Sequence, residues 1–183
     1  MRQYINFFLI CVLSFTLAAL GLGCGYTTRG FLDPQYRSIY IKPAVNAIGV
    51  TGETQEYSNF RSVPPFLDNS FTKALISRFT FDGNLKVTRE GNADLVLECT
   101  ITDFVRSTLR YDNQDRVEEY RLKINFDYKL YNTISQEVIK HKSLIADSEY
   151  ALVGSVAKTE DQALTELLEE AARKVTEDIV EAW

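Results

Sequence analysis

Between Tyr120 and Leu130 the chain alternates without a break. Tyr120, Leu122, Ile124, Phe126, Tyr128 and Leu130 fall on one face, and Arg121, Lys123, Asn125, Asp127 and Lys129 on the other. Successive side chains of a strand point to opposite sides of a sheet, so this pattern fits a strand with one buried and one wet face and fits no helix. The chain is thereby committed to a sheet with one apolar face, which another layer must cover.

The rest of the sequence supplies both partners and cover. A polar turn around residues 132–136 leads into 138–150, the expected hairpin partner of the alternating strand. Upstream, Leu95, Leu97, Cys99 and Ile101 alternate with Glu98, Thr100 and Thr102, and the phase blurs at Asp103-Phe104, where a bulge is expected. Ser38-Ile39-Tyr40-Ile41-Lys42-Pro43 reads as a first strand stopped by proline, and 85–88 as a short one. Two helices are predicted. After Pro64-Pro65, residues Leu67, Phe71, Ala74, Leu75 and Phe79 recur at helical spacing until Asp82-Gly83-Asn84; prolines in a first turn suit a helix start. Thr159 and Gln162 have capping-box spacing, and Leu164, Leu167, Leu168, Ala171, Val175, Ile179 and Ala182 then form one stripe. Trp183 is expected to close the core beneath this helix. The order is close to βαβββα, and the expected fold is α+β: a two-layer sandwich with a mostly antiparallel four-stranded sheet and two helices packed on one face. The stretch 44–61 reads as a long loop and 111–116 as a polar turn.

Residues 4–22 are apolar, preceded only by Arg2 and the amino terminus as positive charges, and they end in Leu20-Gly21-Leu22-Gly23-Cys24. A basic start, an apolar middle and a small-residue exit form an export signal. Gly23-Cys24 resembles the lipobox of bacterial lipoproteins, with Gly21 standing where leucine is most common. There the peptide is cut before the cysteine, and the thiol carries a diacylglycerol. Lipidation at Cys24 is the favoured reading. An uncleaved membrane anchor and a plain secreted protein are its rivals, because about twenty apolar residues can span a bilayer. Bulky Ile10 makes Cys11 a poor acceptor. The expected division is a signal peptide over 1–23, a lipidated lead-in over 24–36 and one domain over 37–183.

Loss of the leader removes one cation from a chain of net charge −5, so a general attraction for nucleic acid is not expected. Cys99 then remains without a thiol partner and reads as a small buried hydrophobe. His141 is the only histidine, in a basic run, which gives little basis for a catalytic triad or a zinc site. An enzyme is not expected, and no cofactor or metal is implied; a periplasmic hydrolase and an envelope scaffold or adaptor stand as alternatives.

Several short patterns, in order, resemble one family. Cys24-Gly25-Tyr26-Thr27-Thr28-Arg29-Gly30 after the leader, then Ser38-Ile39-Tyr40-Ile41-Lys42-Pro43, is similar to the opening of the LPS-assembly lipoprotein family LptE. Asp82-Gly83-Asn84-Leu85-Lys86-Val87, Ala93-Asp94-Leu95-Val96-Leu97, Glu119-Tyr120-Arg121-Leu122 and the final Ile179-Val180-Glu181-Ala182-Trp183 follow in the family's order. The resemblance implies an outer-membrane lipoprotein that plugs the large β-barrel LptD, helps it assemble and binds lipopolysaccharide in transit. Gly25 after the cysteine agrees with outer-membrane sorting. Lipopolysaccharide carries phosphates and carboxylates, so a binder needs cations. Arg121, Lys123 and Lys129 on one strand, with Lys140, His141 and Lys142 on its expected neighbour, form the candidate contact set; a solvated sheet face whose lysines discourage edge pairing is the alternative. Tyr57, Phe60 and Tyr111, on the two polar loops, are candidates for contact with the barrel.

Overall fold

The computed structural model describes residues 35–49, 63–154 and 157–180. Cys24, Tyr57, Phe60, Ala182 and Trp183 lie outside the described residues, as do the leader, all but the last two residues of the lead-in and 50–61 of the stretch read as a loop. The elements are β1 (Ser38–Ile41), β2 (Val45–Asn46), α1 (Leu67–Asp82), β3 (Lys86–Val87), β4 (Leu95–Tyr111), β5 (Val117–Asn132), β6 (Val138–Ala151) and α2 (Glu160–Val180).

The expected α+β class holds, with two helices, but the sheet is mixed and has six strands rather than four. Its order is β3-β1-β4-β5-β6, with β2 also pairing β4. The antiparallel centre is present as predicted: β4, β5 and β6 are successive antiparallel neighbours. The parallel part was not foreseen. β1 runs parallel to β4, with Ile39 opposite Leu95, and parallel to β3. Parallel neighbours need a crossover, and α1 supplies it between β1 and β3. β2 falls inside the stretch read as loop. Pro43 has no N–H for the ladder, so pairing stops at the Lys42 N–H to Leu97 carbonyl bond and resumes with Val45 opposite Thr100.

Both helices contribute to one hydrophobic cluster against one sheet face. From α1 come Leu67, Phe71, Leu75 and Phe79, and from α2 Ala163, Leu167, Leu168, Ala171, Val175 and Ile179. Phe71 meets Phe126 edge to face at 5.1 Å, a geometry that adds about 1 kcal/mol beyond the area it buries. Pro64 and Pro65 precede α1 rather than forming its first turn; Phe66, in left-handed backbone at φ 59°, is its N-cap. Gly83 ends it with φ 75° and an N–H to the Phe79 carbonyl, a conformation glycine adopts without strain. The α2 capping box forms as spaced: the Gln162 N–H donates to Thr159 Oγ1 at 3.2 Å, and the Thr159 N–H to Gln162 Oε1 at 2.9 Å. The blurred phase at Asp103 is a register shift between Ile101 and Asp103, which keeps Phe104 in the core.

Candidate functional site

The hairpin of β5 and β6 carries the cations singled out in the sequence, and its register decides which share a face. Lys129 pairs with His141, Lys123 with Asp147 and Arg121 with Glu149. These pairs lie on the sheet face away from the helices, because Leu122, Ile124, Phe126, Tyr128 and Leu130 alternate with them into the core. Lys140 and Lys142 pair instead with Leu130 and Tyr128, on the helix side. The register shift between Leu130 and Tyr131, where Tyr131 meets Val138, fixes that phase. So Arg121, Lys123, Lys129 and His141 are brought together on the open face, and Lys140 and Lys142 are not.

What holds the second pair is Asp178, near the end of α2. Lys142 Nζ reaches Asp178 Oδ1 at 2.7 Å and Lys140 Nζ reaches Oδ2 at 3.0 Å. Tyr128 donates its hydroxyl to the same carboxylate, and Lys140 also donates to the Asp178 carbonyl. Burial alone would raise the Asp178 pKa; the hydrogen bonds from Lys142, Tyr128 and Lys140 outweigh it and hold the group down at about 2. Burial, with the bond to Asp178, pushes the Tyr128 phenol well above its ordinary value. These groups tie α2 to the sheet. Lys174 Nζ adds a bond to the Ile145 carbonyl at 2.8 Å. At the other end of α2, Arg106 Nη1 meets Glu160 Oε2 at 2.6 Å and its guanidinium lies over Tyr120 at 5.2 Å.

The open face is charged but largely paired. Arg121 donates to Glu149 Oε1 from Nε at 2.9 Å and from Nη2 at 2.5 Å. Lys42 Nζ meets Glu98 Oε1 at 2.6 Å and lies over the Tyr131 ring at 5.3 Å, and the Tyr131 hydroxyl donates to the same carboxylate oxygen at 2.9 Å. The bond to Glu98 raises the Lys42 pKa, and the reverse effect lowers that of Glu98. Lys129 stands opposite Glu98 on β4. On the other side of the molecule, a groove of about 780 Å³ runs between the helices, with Lys73 and Arg78 on one wall and Glu166 and Glu169 on the other. Tyr111 is exposed at the end of β4, beyond the helices' cover. Cys99 is buried, and burial pushes its thiol up to about 12, far from a reactive thiolate. Among the described residues no group of three or more His, Cys, Asp or Glu is placed to hold a metal.

Sequence reasoning passed over Asp178. Yet it lies three residues beyond Val175 on the buried stripe of α2, and a carboxylate there must find partners. That spacing was the available signal.

A sheet covered by helices on one side and open, charged and polar on the other is a two-layer α+β sandwich. Two solved structures share the fold: a Xanthomonas campestris protein of the DUF330 family, at TM-score 0.51 and 14% identity, covering 84% of this chain and 89% of that one, and a hypothetical Chlamydia trachomatis protein, at 0.52 and 11%, covering 79% and 95%. The rare lipoprotein B of Shewanella oneidensis matches at 16% identity and TM-score 0.44, covering 76% of this chain and 92% of its own. No curated protein matches the chain. The family model of LptE, lipopolysaccharide-assembly, matches residues 36–182, and the chain belongs to that family. It is an envelope lipoprotein of a non-enzymatic family.

Proposed function

We propose that this chain is an outer-membrane lipoprotein, anchored by a lipid on Cys24, that binds and plugs an LptD-type β-barrel, supports its assembly and assists lipopolysaccharide insertion into the outer leaflet. In this reading residues 1–23 are removed, 24–36 form the lipidated lead-in and 37–183 the domain. It acts by binding, without turnover or cofactor. The observation that carries the reading is the family match across nearly the whole domain. Arg121, Lys123 and Lys129, together on the open face, are the proposed contacts for lipopolysaccharide phosphates, for which the paired guanidinium of Arg121 would exchange Glu149. Lys140 and Lys142, engaged by Asp178, remain in the proposed set only as its weaker members. Tyr57, Phe60 and Tyr111 are proposed contacts with the barrel wall.

The test is a mild-detergent pull-down of the tagged full-length protein from its own membranes, with mass analysis of everything bound. A large β-barrel at about one copy per copy, with a diacylglycerol mass at Cys24, is the expected result. A chain that comes down alone, or with cell-wall proteins and no barrel, makes it an adaptor instead.

A further inference from the structure

β6 is the outer strand of the sheet, and at 14 residues, Val138–Ala151, it leaves a long edge. The opposite edge is β3, of 2 residues. Successive residues of a strand aim their N–H and C=O groups to opposite sides. The Leu152 N–H turns inward, to the Glu118 carbonyl beside β6, and the Ala151 carbonyl turns outward, to the Lys158 N–H at 3.0 Å. From Lys140 to Ala151 the pairing with β5 has no shift, so alternation aims the backbone groups of His141, Ser143, Ile145, Asp147 and Glu149 outward. The Ile145 carbonyl agrees: it accepts Lys174 Nζ, from α2, at 2.8 Å. Among the described residues no strand pairs with these positions. Natural sheets blunt a long edge with proline, a bulge or a cover. The stretch from His141 to Glu149 has neither proline nor bulge, and Ile145 in its middle is 52% exposed. Its two ends are handled differently. Near Ala151 the chain itself adds a short parallel pairing, through Ala157. Midway, only a lysine covers a carbonyl, and the Lys174 ammonium has a second partner within reach, Glu170 Oε1 at 3.8 Å.

We infer that the edge of β6 is a strand-addition site, and that the strand it takes is an extended loop of the barrel chain, folded into the lumen beside the domain. The inference rests on the barrel reading proposed above. The wall of a closed barrel has every strand paired and offers no edge, so a loop is the part of that chain with backbone groups to give. From His141 to Glu149 the edge is about 26 Å long at roughly 3.3 Å per residue, room for an added strand of about eight residues. On pairing, a loop N–H replaces Lys174 at the Ile145 carbonyl, and the ammonium turns to Glu170. Main-chain bonds give such a site its affinity, and alternate side chains give it selectivity. The loop residue beside Ile145 is apolar, because pairing there removes an exposed apolar side chain from water. The domain's own segment at Ala157 and the added loop then cover successive parts of one edge.

The test compares the full-length chain purified without the barrel and the same chain in its detergent-purified barrel complex, by hydrogen exchange resolved to single amides. The Ser143, Ile145, Asp147 and Glu149 amides should exchange freely in the first and slow by at least about tenfold in the second. Benzoylphenylalanine in place of Ile145 should crosslink to one loop of the barrel chain. Ser143→Pro and Asp147→Pro each remove an outward N–H and leave the β5 ladder intact, which an edge strand tolerates. Both should keep the parent's melting temperature and bring down less barrel. Unchanged edge amides in an intact complex, a crosslink to a wall strand, or proline variants that fold and hold the barrel as the parent does, overturn the inference and leave the plug standing. A parent chain that brings down no barrel removes both. Edge amides that slow with rising concentration of the chain by itself assign the edge to a second copy and also overturn the inference.

Discussion

The two faces of the sheet meet their charges differently. On the helix side, Asp178 gathers Tyr128, Lys140 and Lys142 around a carboxylate that is 20% exposed, in contact with a continuous apolar core. On the open side, Arg121 and Lys42 each hold one carboxylate at the surface, and solvent reaches both partners. Charges of the first kind hold elements in place, because desolvation makes an unmatched one costly. Those of the second kind contribute little to stability and can exchange partners for a ligand. The lysines that cluster in the sequence therefore sit in two different environments.

The sharpest way to break this contrast is to attack the covered face. Phe126→Ala removes a ring that is 1% exposed and packs on Phe71, and should cost about 3–5 kcal/mol in urea unfolding. A cost near 1 kcal/mol would mean that the core is not packed as described. Asp178→Ala leaves Tyr128 and Lys140 without their acceptor and should cost about 2–3 kcal/mol by the same measurement.

Acid titration probes the same carboxylate. Its folded pKa, about 2, lies below the ordinary 3.8, so its contribution is full above pH 3.8 and is lost as pH falls through 2. The shift corresponds to roughly 2 kcal/mol. Asp178→Asn should show a flatter stability profile between those values than the parent. A profile unchanged by the substitution would remove the carboxylate from the account. Thr159→Ala, which loses one arm of the α2 cap, should cost about 1 kcal/mol in thermal or urea unfolding. On the open face, Lys123→Glu should alter stability by no more than about 0.5 kcal/mol. A larger loss would show that this face, too, is structural.

Much of this was legible in the sequence. The period-two run of β5, the bulge near Asp103 and the Thr159 cap are local patterns, and local patterns survive into the fold. Of the α2 stripe, Leu167, Leu168, Ala171, Val175 and Ile179 are buried as read, and Leu164 is partly so. The parallel pairing of β1 with β4 was not legible, because it joins residues 56 apart, Ile39 and Leu95, and no short-range periodicity marks a crossover. β2 is two residues long, too short for a period to show. The division of the basic cluster had a subtler cause. A register shift of one residue at Ile139 reverses the faces of everything after it, relative to the pairing that the turn alone would set, and strand alternation cannot reveal where such a shift sits. Hence Lys140 and Lys142 read as neighbours of Lys129, while the structure turns them toward Asp178.

The most direct test of the open face as the binding face compares two double reversals, Lys123→Glu with Lys129→Glu and Lys140→Glu with Lys142→Glu, by lipopolysaccharide binding and thermal melting of each purified protein. The first pair should lose binding with its melting temperature nearly unchanged, and the second should melt earlier while its folded fraction still binds. Full binding by the first pair, with binding lost in a normally folded second pair, would contradict that role for the open face.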